Sequence, residues 1–276
     1  MTVVQAITLG LVQGLTEFLP ISSIAHLRVV PALLGWPDPG AAFSAVIQLG
    51  TLLAVLVYFG RDLGVMTRAV LQGIFNGHPW ERQEARLAWF IALGTLPIGA
   101  CGLVFKRHIE GEFRSLYVIS ASLIVLGALL WVAERTAAFR RGVNQIGFVD
   151  SQLIGLAQAV ALIPGSSRSG TTMTAAMFLG LTREAAARFS FILGIPAIGA
   201  AGLFELRDLL RHGLGGAGMS TLLIGILMSA VSGYLAIDLL LRYLRTRTTH
   251  VFVWYRIGLG LLLLGLLAGG VLGPLG

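Results

Sequence analysis

The sequence predicts an all-α integral membrane protein, with six transmembrane helices plus two re-entrant helical hairpins arranged as an antiparallel (inverted-topology) internal repeat. Three observations carry this expectation. The 276 residues are 56% hydrophobic and only 12% charged, with a mean hydropathy of +0.84, whereas a soluble domain has about 25% charged residues. The apolar runs are long and continuous, without the alternation of a barrel strand. Two segments are near-copies: GLVQGLTEFLPISS at 10–23 and GLAQAVALIPGSS at 155–167. Both carry Gly-Leu-x-Gln and close on Pro-x-Ser-Ser. The likeness continues downstream, where Phe43-Ser44 leads to Arg61-Asp62-Leu63 and Phe189-Ser190 leads to Arg207-Asp208-Leu209 at the same spacing. Such a repeat predicts two halves that build one site between them.

The elements follow in order. Residues 3–34 are apolar but broken by Pro, Gly and Ser, and predict a helix pair that enters the membrane, turns at Pro-x-Ser-Ser and leaves by the same side. Runs at 41–60, 86–105 and 116–133 have spanning length. Residues 152–181 repeat the broken pattern, and runs at 189–206, 219–241 and 255–272 complete the set. Irregular backbone at membrane depth needs protein or a wet cavity around it, so the two turns should face each other inside the bundle. The chain is read as one membrane domain, 1–276, with repeat 1 at about 1–134 and repeat 2 at about 150–276. Its opening, MTVVQAITLGLVQGLTEF, has no basic n-region or small-residue cleavage site and is not read as a signal peptide. Cys101 is the single cysteine and lies in an apolar run, so no disulfide is expected.

Charge sets the orientation. If 41–60 runs inward, thirteen of the 20 basic residues fall on inner loops, Arg256 among them. Six fall outside (Arg28, Lys106, Arg107, Arg114, Arg207, Arg211), and Arg168 is left in the core. The excess of inner Lys and Arg favours this topology. Three spans per half then make the halves antiparallel. A net charge of +7 is accounted for by cytoplasmic loops against anionic membrane lipid, and no nucleic-acid partner is invoked.

Chemistry concentrates at the two hairpins. Gln13 and Glu17 lie four residues apart and share a helix face. The turn with Ser22 and Ser23 follows, and His26 comes three residues later. The second turn places Ser166, Ser167, Arg168, Ser169, Gly170, Thr171 and Thr172 in one run at a helix start. Backbone N–H groups, hydroxyls and a guanidinium are the parts of a phosphate or other oxyanion site. A carboxylate facing that cradle predicts a divalent cation bound together with phosphate, because Mg²⁺ typically takes one or two carboxylates plus substrate oxygens. Ser22, Ser166 and Thr171 also suit helix N-caps, a use compatible with phosphate binding. Gln13 and Gln158 occupy matching positions, and either is equally suited to bonding backbone within its hairpin.

GLTEFLPISSIAH and PGSSRSGTT resemble the two signature motifs of the bacterial undecaprenyl-diphosphate phosphatase family, also called the bacitracin-resistance proteins. The likeness extends over the whole chain and includes FSFILGIPA. It implies hydrolysis of undecaprenyl diphosphate to undecaprenyl phosphate and inorganic phosphate, recycling the lipid carrier of peptidoglycan synthesis. It also implies a Mg²⁺ or Ca²⁺ requirement, a place in the bacterial inner membrane, a site open to the periplasmic side and a homodimer. By position, the acidic motif falls on Gln13 and Glu17, the serine-histidine motif on Ser22, Ser23 and His26, and the arginine motif on Ser167, Arg168, Ser169 and Thr172. Gln13 stands where many members have glutamate, and Ile24-Ala25 where the family often has Thr-Gly.

The expected mechanism is metal-assisted phosphoryl transfer. Glu17 holds the ion, with Gln13 through water, and Arg168 with the amides of 166–170 neutralises charge on the transferred group. Ser23 as nucleophile with His26 as its base, and direct attack by water, both stand open at this stage. The rival from another class is a polyprenyl-phosphate transporter or flippase, since antiparallel repeats meeting at the midplane suit carriers. An anion channel is disfavoured by Glu17. The acid-phosphatase-like lipid phosphatases pair arginine with histidines, and here no histidine follows Arg168 before His212.

Overall fold

The computed structural model describes residues 1–105, 113, 115–212 and 218–273. The basic residues Lys106, Arg107 and Arg114, which entered the orientation argument, lie outside the described residues. Among the described residues the regular structure is helical: α1 (Val3–Phe18), α2 (Ser23–Leu34), α3 (Gly40–Tyr58), α4 (Gly60–Phe75), α5 (Gln83–Gly94), α6 (Leu96–Val104), α7 (Leu116–Thr136), α8 (Phe148–Val160), α9 (Arg168–Phe178), α10 (Arg183–His212), α11 (Met219–Thr246) and α12 (His250–Ala268).

Length and composition separate these helices into two groups. Among the described residues five stretches are each long and apolar enough to cross a membrane: Gln83–Val104, Leu116–Thr136, Arg183–Arg211, Met219–Thr246 and His250–Ala268. The pair Ala42–Tyr58 and Gly60–Phe75, bent by 76°, makes a sixth when counted as one span. Their outer faces expose Leu203, Phe204, Leu227, Leu239, Trp254 and Leu261, a surface that hydrocarbon rather than water solvates. By contrast α1 has 16 residues, α2 12, α8 13 and α9 11, too few to span when about 20 are needed.

Several helices outrun their apolar cores because charged ends are paired. α10 begins at Arg183, whose guanidinium donates to the buried Glu134 carboxylate (Nε to Oε1 2.8 Å). The same carboxylate accepts from Thr249 N at 3.1 Å and Thr249 Oγ1 at 2.8 Å. One carboxylate thus staples the end of α7 to the starts of α10 and α12. Arg188 meets Asp62 at 2.7 Å, fixing α10 against α4. α12 starts at His250, earlier than its apolar run, so Arg256 is not on a loop as the charge count assumed. It lies inside the helix and is fully buried.

The packing is reciprocal between the two halves. α1 packs along α11, the second long helix after its own half, and α8 packs on α5 and α6. α3 packs on α10 and α7 on α12, so like elements of the two halves meet. Close backbone approach makes the crossings possible. A Cβ on Gly10 would lie 2.5 Å from the carbonyl oxygen of Gly225, and one on Gly155 would collide with the carbonyl of Gly94. Small residues at helix crossings are the membrane alternative to a hydrophobic driving force. Phe18 of α1 meets Phe191 of α10 edge to face, with centroids 5.0 Å apart at 73°, and both are fully buried at the centre of the largest apolar cluster.

Candidate functional site

Both hairpin turns end on a serine in an unusual conformation. Ser22 has φ 76, ψ 99 and Ser167 has φ 67, ψ 110. Left-handed backbone at a non-glycine residue is costly and persists where surroundings over-determine it. Each serine is an N-cap: Ser22 Oγ accepts from Ala25 N at 3.4 Å and Ser167 Oγ from Gly170 N at 3.1 Å. The shared Pro-x-Ser-Ser lettering pairs Ser22 with Ser166. The structure corrects this by one residue. Counted from Gln13 and Gln158, Ser22 corresponds to Ser167 and Ser23 to Arg168, since the second turn reaches its proline one residue sooner.

Glu17 is the hub. Its Oε2 accepts from Gln13 Nε2 at 2.9 Å and from Ser23 Oγ at 2.7 Å, and its Oε1 accepts from Arg168 Nη2 at 3.0 Å. The bond to Arg168 joins the two hairpins across 151 residues of sequence. Both partners are nearly buried, with side chains 10% and 7% exposed. Removing one partner of such a pair strands the other charge and costs about 3–5 kcal/mol. Arg168 Nη1 donates to the Ser190 carbonyl at 2.9 Å, while its Nε is buried without a partner. The guanidinium lies against α10 at Gly194, where a Cβ would come within 2.6 Å of Cζ.

A cavity of about 140 Å³ opens beside this pair, lined by the polar or charged residues Glu17, Ser22, Ser23, Gln48, Ser167 and Arg168 and by apolar residues that include Ile24, Ile98, Ile163, Ile198 and Ala201. The other expected site residues stand behind it. Ser169 Oγ donates to the Leu19 carbonyl at 3.1 Å, tying the second turn to the first. Thr171 and Thr172 donate to the Arg168 carbonyl at 3.1 and 2.7 Å, and Thr172 Oγ1 also meets Ser190 Oγ at 2.6 Å. Ser166 is fully buried, and its hydroxyl has no partner. Gly170 leaves room for Arg256, whose Nη1 would lie 2.5 Å from an added Cβ. Gln158 does not bond backbone; both polar atoms of its buried amide are without partners.

His26 is not turned onto Ser23, as the three-residue spacing suggested. Its Nδ1 donates to the Ser22 carbonyl at 2.7 Å, and its Nε2 pairs with Tyr255 Oη at 2.6 Å. A carbonyl only accepts, so Nδ1 carries the proton and Nε2 accepts from the tyrosine. The Ser23 hydroxyl goes to Glu17 instead. Four residues escaped sequence reasoning: Ser190, Gly194, Tyr255 and Arg256. Arg256 donates to carbonyls of both turns: Pro20 at 3.2 Å, Gly165 at 3.3 Å and Ser166 at 2.9 Å, with Ser122 and Leu123 at 3.4 Å. It has no carboxylate among these partners. It holds the two strained turns against each other and satisfies carbonyls of the buried residues Pro20, Gly165 and Ser166. An arginine one residue inside an apolar run is the signal that could have found it.

The donor set fits a hard divalent cation in part. Among the described residues no three of His, Cys, Asp and Glu gather in one place. Glu17 supplies one carboxylate, and Gln13 Oε1 is a buried oxygen without a partner on the amide that already touches it. That suits an ion held mainly by substrate oxygens rather than a protein cage.

The family model described as Bacitracin resistance protein BacA matches residues 6–262. The chain is 56% identical over 275 residues to an undecaprenyl-diphosphatase of Myxococcus xanthus (strain DK1622), covering 100% of this chain and 92% of that protein. It is 52% identical to an undecaprenyl-diphosphatase of Chlorobium phaeobacteroides (strain BS1), covering 99% of each. A third, from Chloroherpeton thalassium (strain ATCC 35110 / GB-78), is 50% identical with the same coverage.

Proposed function

The chain belongs to the bacitracin resistance protein family BacA, and from that premise we infer that it hydrolyses undecaprenyl diphosphate to undecaprenyl phosphate and inorganic phosphate, recycling the lipid carrier of peptidoglycan synthesis and conferring resistance to bacitracin. One observation carries this reading: the buried Glu17–Arg168 pair joins two hairpins at the edge of a cavity lined by both polar and apolar side chains. A diphosphate on a prenyl tail presents the same two kinds of group.

The chemistry follows from the bonds present. Arg168 binds the terminal phosphoryl group and neutralises charge as it develops. The Ser23 hydroxyl already points its proton at Glu17. Ser23 Oγ attacks the terminal phosphorus, its proton passes to Glu17, and the bridging oxygen departs on undecaprenyl phosphate. Water then attacks the phosphoserine phosphorus, the P–Oγ bond breaks, Ser23 Oγ takes its proton back from Glu17, and inorganic phosphate leaves. Tyr255 holds His26, which in turn holds the Ser22 carbonyl and with it the strained turn, so His26 positions the nucleophile rather than deprotonating it. Glu17 and Gln13 Oε1 would hold a Mg²⁺ or Ca²⁺ ion, which when bound would supply neutralisation of the diphosphate oxygens.

The membrane arrangement belongs to the same reading. The reciprocal packing supports six spans, two re-entrant hairpins and an inverted repeat. The excess of inner basic residues supports the orientation of the spans, and family likeness supports an inner-membrane location with the cavity open to the periplasmic side. Family likeness supports a homodimer, which light scattering of the purified protein tests. Halves that meet this way also suit lipid translocation, the second reading. Phosphate release from undecaprenyl diphosphate in detergent decides, because detergent leaves no second compartment. Release that Arg168→Ala abolishes supports hydrolysis; no release by intact protein refutes it.

A further inference from the structure

Gln48 on α3 lines the same cavity as Glu17 and Arg168. Its side-chain amide makes no hydrogen bond to another described residue, and only its main-chain carbonyl is engaged, by Thr51 Oγ1 at 2.8 Å. The repeat explains what this amide replaces. Phe43-Ser44 and Phe189-Ser190 put Gln48 in register with Gly194, and the turns put Ser23 in register with Arg168. In the second half a large side chain at 168 lies against a glycine at 194. In the first half the sizes are exchanged: a serine at 23 and a glutamine at 48. By register, the amide is the first half's counterpart of the guanidinium's seat in the second, and both side chains line one cavity.

Depth gives the two groups different work. α3 and α10 run antiparallel, with Leu49 against Gly202, Leu52 against Gly199 and Asp62 paired to Arg188. Gln48 is therefore level with residues 202–203 of α10, beside Ala201, which lines the same cavity. Gly194 and the Arg168 guanidinium lie about eight to nine residues back along α10, about 12–14 Å at 1.5 Å per residue. A prenyl diphosphate with its terminal phosphoryl group at Arg168 extends its ester-linked phosphate along the same cavity toward Gln48. We propose that Gln48 is a substrate-binding residue that donates its amide N–H to the lipid-linked phosphate, the group that remains on the product. This rests on the hydrolytic reading above.

The test separates the two phosphates. Undecaprenyl phosphate carries only the lipid-linked one, and inorganic phosphate stands in for the transferred one. In Gln48→Leu the KM for undecaprenyl diphosphate and the inhibition constant of undecaprenyl phosphate should each rise about tenfold, equivalent to about 1.4 kcal/mol. The inhibition constant of inorganic phosphate should move less than twofold, and most of the loss in kcat/KM should fall in KM. Gln48→Glu, nearly isosteric and negatively charged, should weaken undecaprenyl phosphate at least as much, and it carries the test if the leucine variant fails to fold. Unchanged lipid-phosphate inhibition in folded variants overturns the assignment, as does equal weakening of inorganic phosphate. Should the intact protein release no phosphate, the hydrolytic reading falls separately. The stabilisation of its melting temperature by undecaprenyl phosphate, lost or kept in Gln48→Leu, then decides Gln48 alone.

Discussion

Gly194→Ala isolates the seat of Arg168 from the fold. The added Cβ would lie 2.4 Å from Arg168 Nη1 and 2.6 Å from its Cζ, and ordinary contact begins at 3.4 Å, so the guanidinium must retreat by about 1 Å. The retreat is away from α10, which also carries the Ser190 carbonyl that Nη1 holds at 2.9 Å. That bond stretches to about 3.9 Å, beyond hydrogen-bonding range. The colliding group is the end of a flexible side chain beside a cavity, so the backbone need not move. Folding should lose about 1 kcal/mol or less, a Tm shift of at most about 4 °C for a chain of this size. Catalysis should lose far more, because a misplacement near 1 Å costs about 10²-fold, or about 2.7 kcal/mol of barrier. Phosphate release and Tm measured on the same detergent-purified variant check both. Wild-type turnover, or turnover and Tm falling together, would refute the claim that Gly194 exists to seat the guanidinium.

Rapid quench with terminally labelled diphosphate should trap phosphoserine in the intact protein and none in Ser23→Ala, whose turnover should drop at least about 10³-fold; Ser23→Ala retaining a tenth of the rate would show that water attacks directly. Glu17→Gln should abolish turnover at ordinary Mg²⁺ and demand more metal for any residue of activity, and chelator should silence the intact protein; identical metal titrations in both proteins would place the ion elsewhere. Asp150, near the start of α8, is held below the ordinary carboxylate range by Arg141, which donates to both its oxygens at 3.0 and 2.5 Å. A depressed folded-state pKa contributes stability above the unfolded value of about 3.9 that is lost as pH falls through the folded one. Asp150→Asn should therefore lower Tm at neutral pH, and its gap from wild type should close in acid; a gap independent of pH would assign the loss to packing.

The helices and both turns were legible because proline, glycine and serine interrupt otherwise continuous apolar runs. Glu17 and Arg168 were legible for a related reason, since ionisable side chains amid apolar residues are expensive and rarely idle. What escaped depends on contacts between distant segments. Gly194 looks like any glycine in a membrane helix until the guanidinium from α9 is placed against it. Arg256 reads as an interfacial anchor because hydropathy cannot tell a helix end from a helix interior one turn later. The spacing of Ser23 and His26 was correct, but a backbone carbonyl four residues back competes for the imidazole and wins. Identical lettering also misled: Pro-x-Ser-Ser recurs in both turns, yet the caps align one residue off because the second loop is shorter.

The reciprocal packing has a consequence for how the chain is made. α1 leaves the ribosome long before its partner surface around Gly225 and Ser229. At about 5–20 residues per second, the interval between Gly10 and Gly225 is on the order of 10–40 seconds. Throughout it, the Pro20 carbonyl lacks Arg256, and the face of α1 carrying Gln13 and Glu17 lacks its neighbours. An apolar helix with unsatisfied polar groups cannot rest in lipid. The nascent N-terminal hairpin must therefore wait at the interface, or under the shelter of the insertion machinery, until the second half arrives to draw it in.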